Sequence, residues 1–258
     1  MALMNIGAFF LFYVFVILHK IIVMKYLKLF VFISFLFLAP NLFSQTVDEV
    51  VNNYLNAIGG KEKLSQLKTI KLTGSLNVQG TDIGIIVSVV SGVGSRVDIE
   101  VPGMDAGYKI ITLTKGWNYL PFQGQTSPVE MGEDEFKLGQ AGLDLQTPLM
   151  NYNEKGHKLE LLGKETVNGT ECYKLKFTHK NGSESFWYID TKNYYRIKTS
   201  ARTKANGQDT NVETTYSDFR KTPEGYTFAF SQTNASGTIN YTSIEVNKPV
   251  DTKIFSVQ

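Results

Sequence analysis

YKLKFTHKNGSESFWYID, residues 173–190, decides the architecture of this 258-residue chain. Two runs of alternating polarity flank Asn181-Gly182, a dipeptide that tolerates the left-handed backbone of a tight turn. A two-residue hairpin joining an antiparallel pair is predicted. The second run makes a further demand. Trp187 and Ile189 lie on one side of the strand, Phe186 and Tyr188 on the other, so both faces need cover.

The same period of two extends outward. In TIKLTGSLNVQ, residues 69–79, Ile70, Leu72, Gly74, Leu76 and Val78 share one side. Further strands are predicted at 82–91, 95–102, 107–114, 116–122, 157–166, 171–179, 184–190, 194–202, 209–219, 226–234 and 238–247. Asn168-Gly169, residues 190–193, Asn206-Gly207 and Pro223-Glu224-Gly225 supply turns. Residues 82–91 repeat the two-faced pattern, with Ile83, Ile85, Val87 and Val89 opposed by Ile86 and Val90. A strongly curved sheet enclosing helices or a ligand gives the inner side its cover. Apolar pockets and apolar cores share a composition, so an interior filled by the chain's own helices is the alternative.

Two segments break the alternation. Thr46 and Glu49 form a Thr-x-x-Glu capping box, and Val47, Val50, Val51, Tyr54, Leu55 and Ile58 form one helical stripe ended by Gly59-Gly60. A short helical piece, 61–67, is expected next. SPVEMGEDEFKLGQAGLDLQTPLMNY, residues 127–152, reads as one or two short helices, acidic at Glu133-Asp134-Glu135 and apolar afterwards. No linker or internal repeat divides the remainder, so residues 46–258 are expected to be one domain.

Composition narrows the function. Hydrophobic residues make up 43% and aromatics 12%, enough for a sizeable core. The formal charge of +2 rests on Lys20, Lys25 and Lys28 in residues 1–45, which hold no acid; beyond them 23 basic residues face 24 acidic ones. Nothing there suggests nucleic acid. Cys172 has no second cysteine to pair with, which excludes internal disulfides and multi-cysteine metal sites. From Met24, two lysines, an apolar run and Ser44 follow the order of a secretory signal, expected to be cleaved at Ser44–Gln45. Residues 1–23 are read as an extension ahead of the true start, or as a membrane segment that tethers the chain to the inner membrane. No cysteine follows the apolar run, so the mature protein is expected in the periplasm without a lipid anchor of its own.

No catalytic motif emerges: HExxH, GxSxG, the P-loop and GxGxxG are missing. His157 and His179 read as structural, Cys172 as an inert thiol, and the 133–135 acids as helix-start charge. Neither an enzyme nor a cofactor is expected.

Four segments in order carry a resemblance: AIGGKEKL (57–64) running into KTIKLTGSL (68–76); GKETVNGTECYKLKF (163–177) followed by SFWYIDTKNYYRIKT (185–199); VETTYSDFRKTPEGYTFAF (212–230); and IEVNKPVDTKIFSV (244–257). They resemble the outer-membrane lipoprotein-sorting proteins, the LolA/LolB-like superfamily, of the Bacteroidetes type. The resemblance implies a mostly β protein with helices (α+β): a half-open antiparallel barrel with an N-terminal helix and plug or lid helices on its concave side. It implies a monomeric periplasmic carrier for lipoprotein acyl chains or another lipid, exchanging cargo with inner-membrane donor and outer-membrane acceptor proteins. Residues 133–150 are the expected lid. The family's early-strand basic residue matches Lys71 and Arg96 equally, so it is assigned to neither.

Strand phase then selects the expected cavity lining: Leu72, Leu76, Ile85, Val87, Ile99, Ile111, Leu113, Trp117, Phe136, Leu138, Trp187 and Phe228. The alternative function is an envelope assembly factor that uses the same sheet to bind a protein partner without lipid.

Overall fold

The computed structural model describes Met24 and residues 45–205 and 208–257. The leader, apart from Met24, and the Asn206-Gly207 turn lie outside the described residues.

The first helix forms as its ends dictate. In α1 (Val47–Ala57) Thr46 Oγ1 accepts from the Glu49 amide at 3.2 Å, and Glu49 Oε2 accepts from the Thr46 amide at 2.8 Å. Gly59 and Gly60 take φ of 140° and 88°, and the Gly60 amide returns to the Leu55 carbonyl at 2.8 Å, closing the helix. The following helix, α2 (Lys61–Leu64), stops three residues short of expectation, although Leu67 is still buried.

Among the described residues thirteen strands then form one antiparallel sheet: β1 (Thr69–Val78), β2 (Thr81–Val90), β3 (Gly94–Glu100), β4 (Gly107–Thr112), β5 (Gly116–Tyr119), β6 (Val129–Glu130), β7 (Lys158–Val167), β8 (Thr170–Thr178), β9 (Glu184–Asp190), β10 (Arg196–Ala205), β11 (Gln208–Lys221), β12 (Thr227–Asn234) and β13 (Gly237–Val246). Their spatial order is β6-β5-β4-β3-β2-β1-β13-β12-β11-β10-β9-β8-β7. All twelve predicted strands are present. Only the two-residue β6, too short to show a period, was not foreseen.

The third helix, α3 (Glu133–Gln140), touches both β4 and β10, which have six strands between them in the sheet. One short helix reaches both because the sheet curls round it. The edges β6 and β7 do not pair with each other, so the result is an open half-barrel.

Turn chemistry is partly as expected. Asn168-Gly169 is a two-residue turn with φ of 47° and 81°. At Asn181-Gly182 the expectation is corrected: only Gly182 is left-handed (φ 84°), and His179 donates to the Ser183 carbonyl at 2.8 Å. The connection is therefore a three-residue loop, 180–182, in which glycine alone takes the strained position.

The main core lies on the inner face. Val50, Tyr54 and Leu55 of α1 pack on Leu175, Phe177 and Ile189, and Leu149, Met150 and Val246 complete the cluster. Burying each such side chain contributes about 1.5–3 kcal/mol. The outer face has its own cover. Val167, Cys172 and Tyr188 cluster with Phe186 and Ile197, and Lys174 and Lys198 lay their stems over the rings, with Nζ 5.5 Å and 5.4 Å from the Tyr188 centroid. Over β3 and β4 lies the 3₁₀ turn Thr252–Phe255, held by Arg96 Nη1 donating to the Ile254 carbonyl at 3.1 Å.

The expected lid divides in two. No side chain of α3 is buried, whereas Leu143, Leu149 and Met150 are. Residues 147–150 belong to the core because the chain must dive beneath α1 to reach β7.

Candidate functional site

Between the core and the inner wall of β9–β12 lies a hollow of about 500 Å³. Tyr54 of α1, Ile58 just past its end, and Leu64 and Leu67 bound it from the helical side. Leu138 of α3 and Asp144, Leu145, Thr147 and Pro148 form a second boundary, and Trp187, Thr199, Val212, Tyr216 and Phe228 come from the strands. Leu138 and Val212, 37% and 42% exposed, are part of the lining, so the hollow reaches solvent. Its volume falls within the roughly 300–1,000 Å³ usual for small-ligand sites.

Leu138, Trp187 and Phe228 of the expected lining border this hollow. Leu72, Leu76, Ile85, Val87 and Ile99 share one face of β1–β3 by register, Leu72 opposite Val87 and Ile85 opposite Ile99. That face continues to Ile111 of β4, against which Gly139 of α3 packs. These residues therefore line the concave wall on the far side from β9–β12. Phe136 of α3 lies against Gly116 of β5, and Leu113 stands exposed just past β4.

Trp117 is placed differently. It pairs with Ile110, while its neighbours Gly116 and Asn118 carry α3 through Phe136 and Glu135. Trp117 consequently faces away from the helices, because the β4–β5 turn sets the opposite parity. Lys71 and Arg96 also fall outside the concave face. Both pair with Ser88, and Arg96 binds Asp98 at 2.6 Å.

The titratable groups near the hollow are mostly committed. Asp144 is held by Lys155 Nζ at 2.6 Å. His179 Nε2 lies 3.2 Å from Ser185 Oγ, and its ring packs 4.3 Å from that of Phe177. Burial, and then the charge of His157, push its pKa down to about 4, so the ring is neutral at pH 7. His157 Nδ1 accepts from the Lys180 amide at 3.0 Å. On the outer face burial drives the Cys172 thiol up to about 11, with Asp190 adding to the effect. Two of the three acids of α3 are tied down as well: Glu133 pairs with Lys137, and Glu135 binds Lys109 and Asn118.

Arg196 is the charged group that strand phase did not reveal. Strict alternation puts it beside Lys198, whose ammonium meets Glu213 at 2.8 Å on the outer face. A bulge between Arg196 and Lys198 reverses this, setting Arg196 opposite the buried Ile189 and onto the wall of the hollow. Two aromatic neighbours in YYRIK offered no warning of that extra residue.

The site thus offers an apolar surface, neutral imidazole and hydroxyl groups, and one guanidinium. It can hold a hydrocarbon chain.

Solved structures share this fold, among them the following two. A DUF1329 family protein from Desulfovibrio piger matches with a TM-score of 0.54 at 14% identity, over 81% of this chain and 97% of that one. A LolA superfamily protein from Nitrosomonas europaea matches with a TM-score of 0.51 at 13% identity, over 83% and 98%. No family model matches the chain, and no curated protein does.

Proposed function

We propose, from a LolA-like fold wrapped round an unfilled apolar hollow, that this protein is a non-enzymatic carrier. It shelters an acyl chain of a lipoprotein, or another long apolar ligand, and moves it across the periplasm. A single long chain needs on the order of 10 kcal/mol of shelter from water, at ~0.8 kcal/mol per methylene. A convex or solid surface cannot supply that. The observation that carries the reading is the hollow itself, about 500 Å³ in volume, bordered by Trp187, Phe228 and the solvent-reaching Leu138. The secretory pattern beginning at Met24 supports passage across the inner membrane.

Mass spectrometry of an organic extract of the detergent-free protein tests this. Lipid recovered in stoichiometric amount is expected. A lipid-free extract, together with no uptake of an added fluorescent apolar probe, overturns the carrier and leaves the assembly factor with a protein partner.

A further inference from the structure

The hollow contains a cation without a counter-charge. The Arg196 guanidinium carbon lies 4.3 Å from the Trp187 ring centroid and 4.5 Å from that of Tyr216, one ring from each flanking strand. Tyr54 of α1 meets Trp187 edge-on, with centroids 6.2 Å apart, and so braces the ring under the guanidinium from the helical side. Among the described residues no carboxylate forms an ion pair with Arg196, and none of its N–H groups has a hydrogen-bond partner.

The nearby charges do not compensate it. Asp144, the acid on the wall, is neutralised by Lys155, and Glu213 of β11 is engaged by Lys198 on the outer face. His179 is neutral. Burial acts against the charge of Arg196, yet the neighbouring Tyr216 and Tyr54 leave its pKa above the ordinary arginine value.

Arg196 is half-buried, and even partial desolvation of a cation is unfavourable when no anion pairs with it. Two aromatic contacts offset part of that. Stacking occupies the flat faces of a guanidinium and leaves its N–H edge free. That edge is a planar fork matched to two oxygens of a single anion.

We propose that the hollow takes a single-chain acidic amphiphile, with its anionic oxygens on the N–H edge of Arg196 and its hydrocarbon along Trp187, Phe228 and Leu138. This rests on the carrier reading and adds the class of ligand. A neutral lipid of the same length leaves the guanidinium unpaired and is discriminated against for that reason.

The sequence has two tryptophans, so Trp117→Phe leaves Trp187, beneath the guanidinium, as the sole reporter. The full chain carrying Trp117→Phe is titrated with oleate, oleyl alcohol and acetate while Trp187 emission is followed. Oleate is expected to bind at least tenfold more tightly than the alcohol, with no response to acetate at the same concentrations. Arg196→Gln is expected to bring oleate to within about twofold of the alcohol, with alcohol binding no weaker than in the parent. Arg196→Lys, which keeps the charge but not the fork, is expected to fall between. It also serves as the test if the glutamine variant does not fold. Equal binding of acid and alcohol, or an unchanged preference in Arg196→Gln, overturns the proposal while the carrier stands. Saturation by acetate alone makes this a small-anion site and overturns it too. Binding of neither long-chain probe overturns the carrier and this inference together.

Discussion

Gly139 of α3 lies so close over Ile111 of β4 that a β-carbon at Gly139 comes 2.0 Å from Ile111 Cδ1. With any larger residue there, the Ile111 side chain must turn aside or the helix must rise. Gly139→Val is expected to lift α3, with a loss of about 1–3 kcal/mol in chemical denaturation. Faster amide exchange confined to residues 133–140 is the second readout. Unchanged exchange there shows that Ile111 simply moved aside.

Leu149 is fully buried beneath α1, whereas Leu138 borders the hollow and is part-exposed. Leu149→Ala is therefore expected to cost about 2–5 kcal/mol. Leu138→Ala should stay within about 0.5 kcal/mol of the parent. Urea titration separates them. Equal losses contradict the division of residues 133–150 into a peripheral helix and a core strap.

Gly74 sits where β1 and β13 shift register, and a β-carbon there stands 2.3 Å from the Asn240 carbonyl oxygen. Backbone cannot rotate out of the way as a side chain can. Gly74→Ala is expected to lower stability by about 1–3 kcal/mol, visible as a lower melting temperature by circular dichroism.

His179 gives the fold a slope in acid. Its folded pKa of about 4 lies below the ordinary 6.5, so the unfolded chain binds the proton more readily. The stability it contributes is complete above pH 6.5 and is lost as pH falls from there toward 4. A decrease of about 1 kcal/mol between pH 7 and pH 4.5 is expected, since solvent at the partly exposed ring screens part of the effect. The buried environment also lowers the pKa of His157, which adds to the same slope. His179→Gln should flatten most of it in urea titrations at the two pH values.

Cys172 is buried, and its thiol is raised to about 11. It is expected to resist a thiol reagent at pH 8 in the native protein and to react promptly in denaturant. Rapid native-state labelling contradicts the closed cluster with Val167 and Tyr188.

The strands were legible in the sequence because inward and outward residues alternate in Ile70–Val78 and in Tyr173–Phe177, and the two-faced demand of Phe186–Ile189 announced cover on both sides. What covers the outer side was not legible. Lysine stems at 174 and 198 and the turn at Phe255 carry no apolar pattern of their own. The site was half legible for a related reason. Phase identified Trp187 and Phe228, but a bulge of one residue decides where Arg196 points, and the parity of one short turn decides it for Trp117. Helical lining from Tyr54 and Ile58 was read only as a core stripe, since a hollow and a core ask for the same residues.

Because α3 touches β4 and β10 across six intervening strands, it acts as a tie-bar across a bow. The span of the bow is then set by the bar, and a guest too wide for the gap must first unhook one flank. Lys109–Glu135, exposed and 3.2 Å long, is one of the fastenings on the β4 flank and the one that weakens as salt is added. Loading should thus quicken with ionic strength while the grip on a guest already inside barely changes.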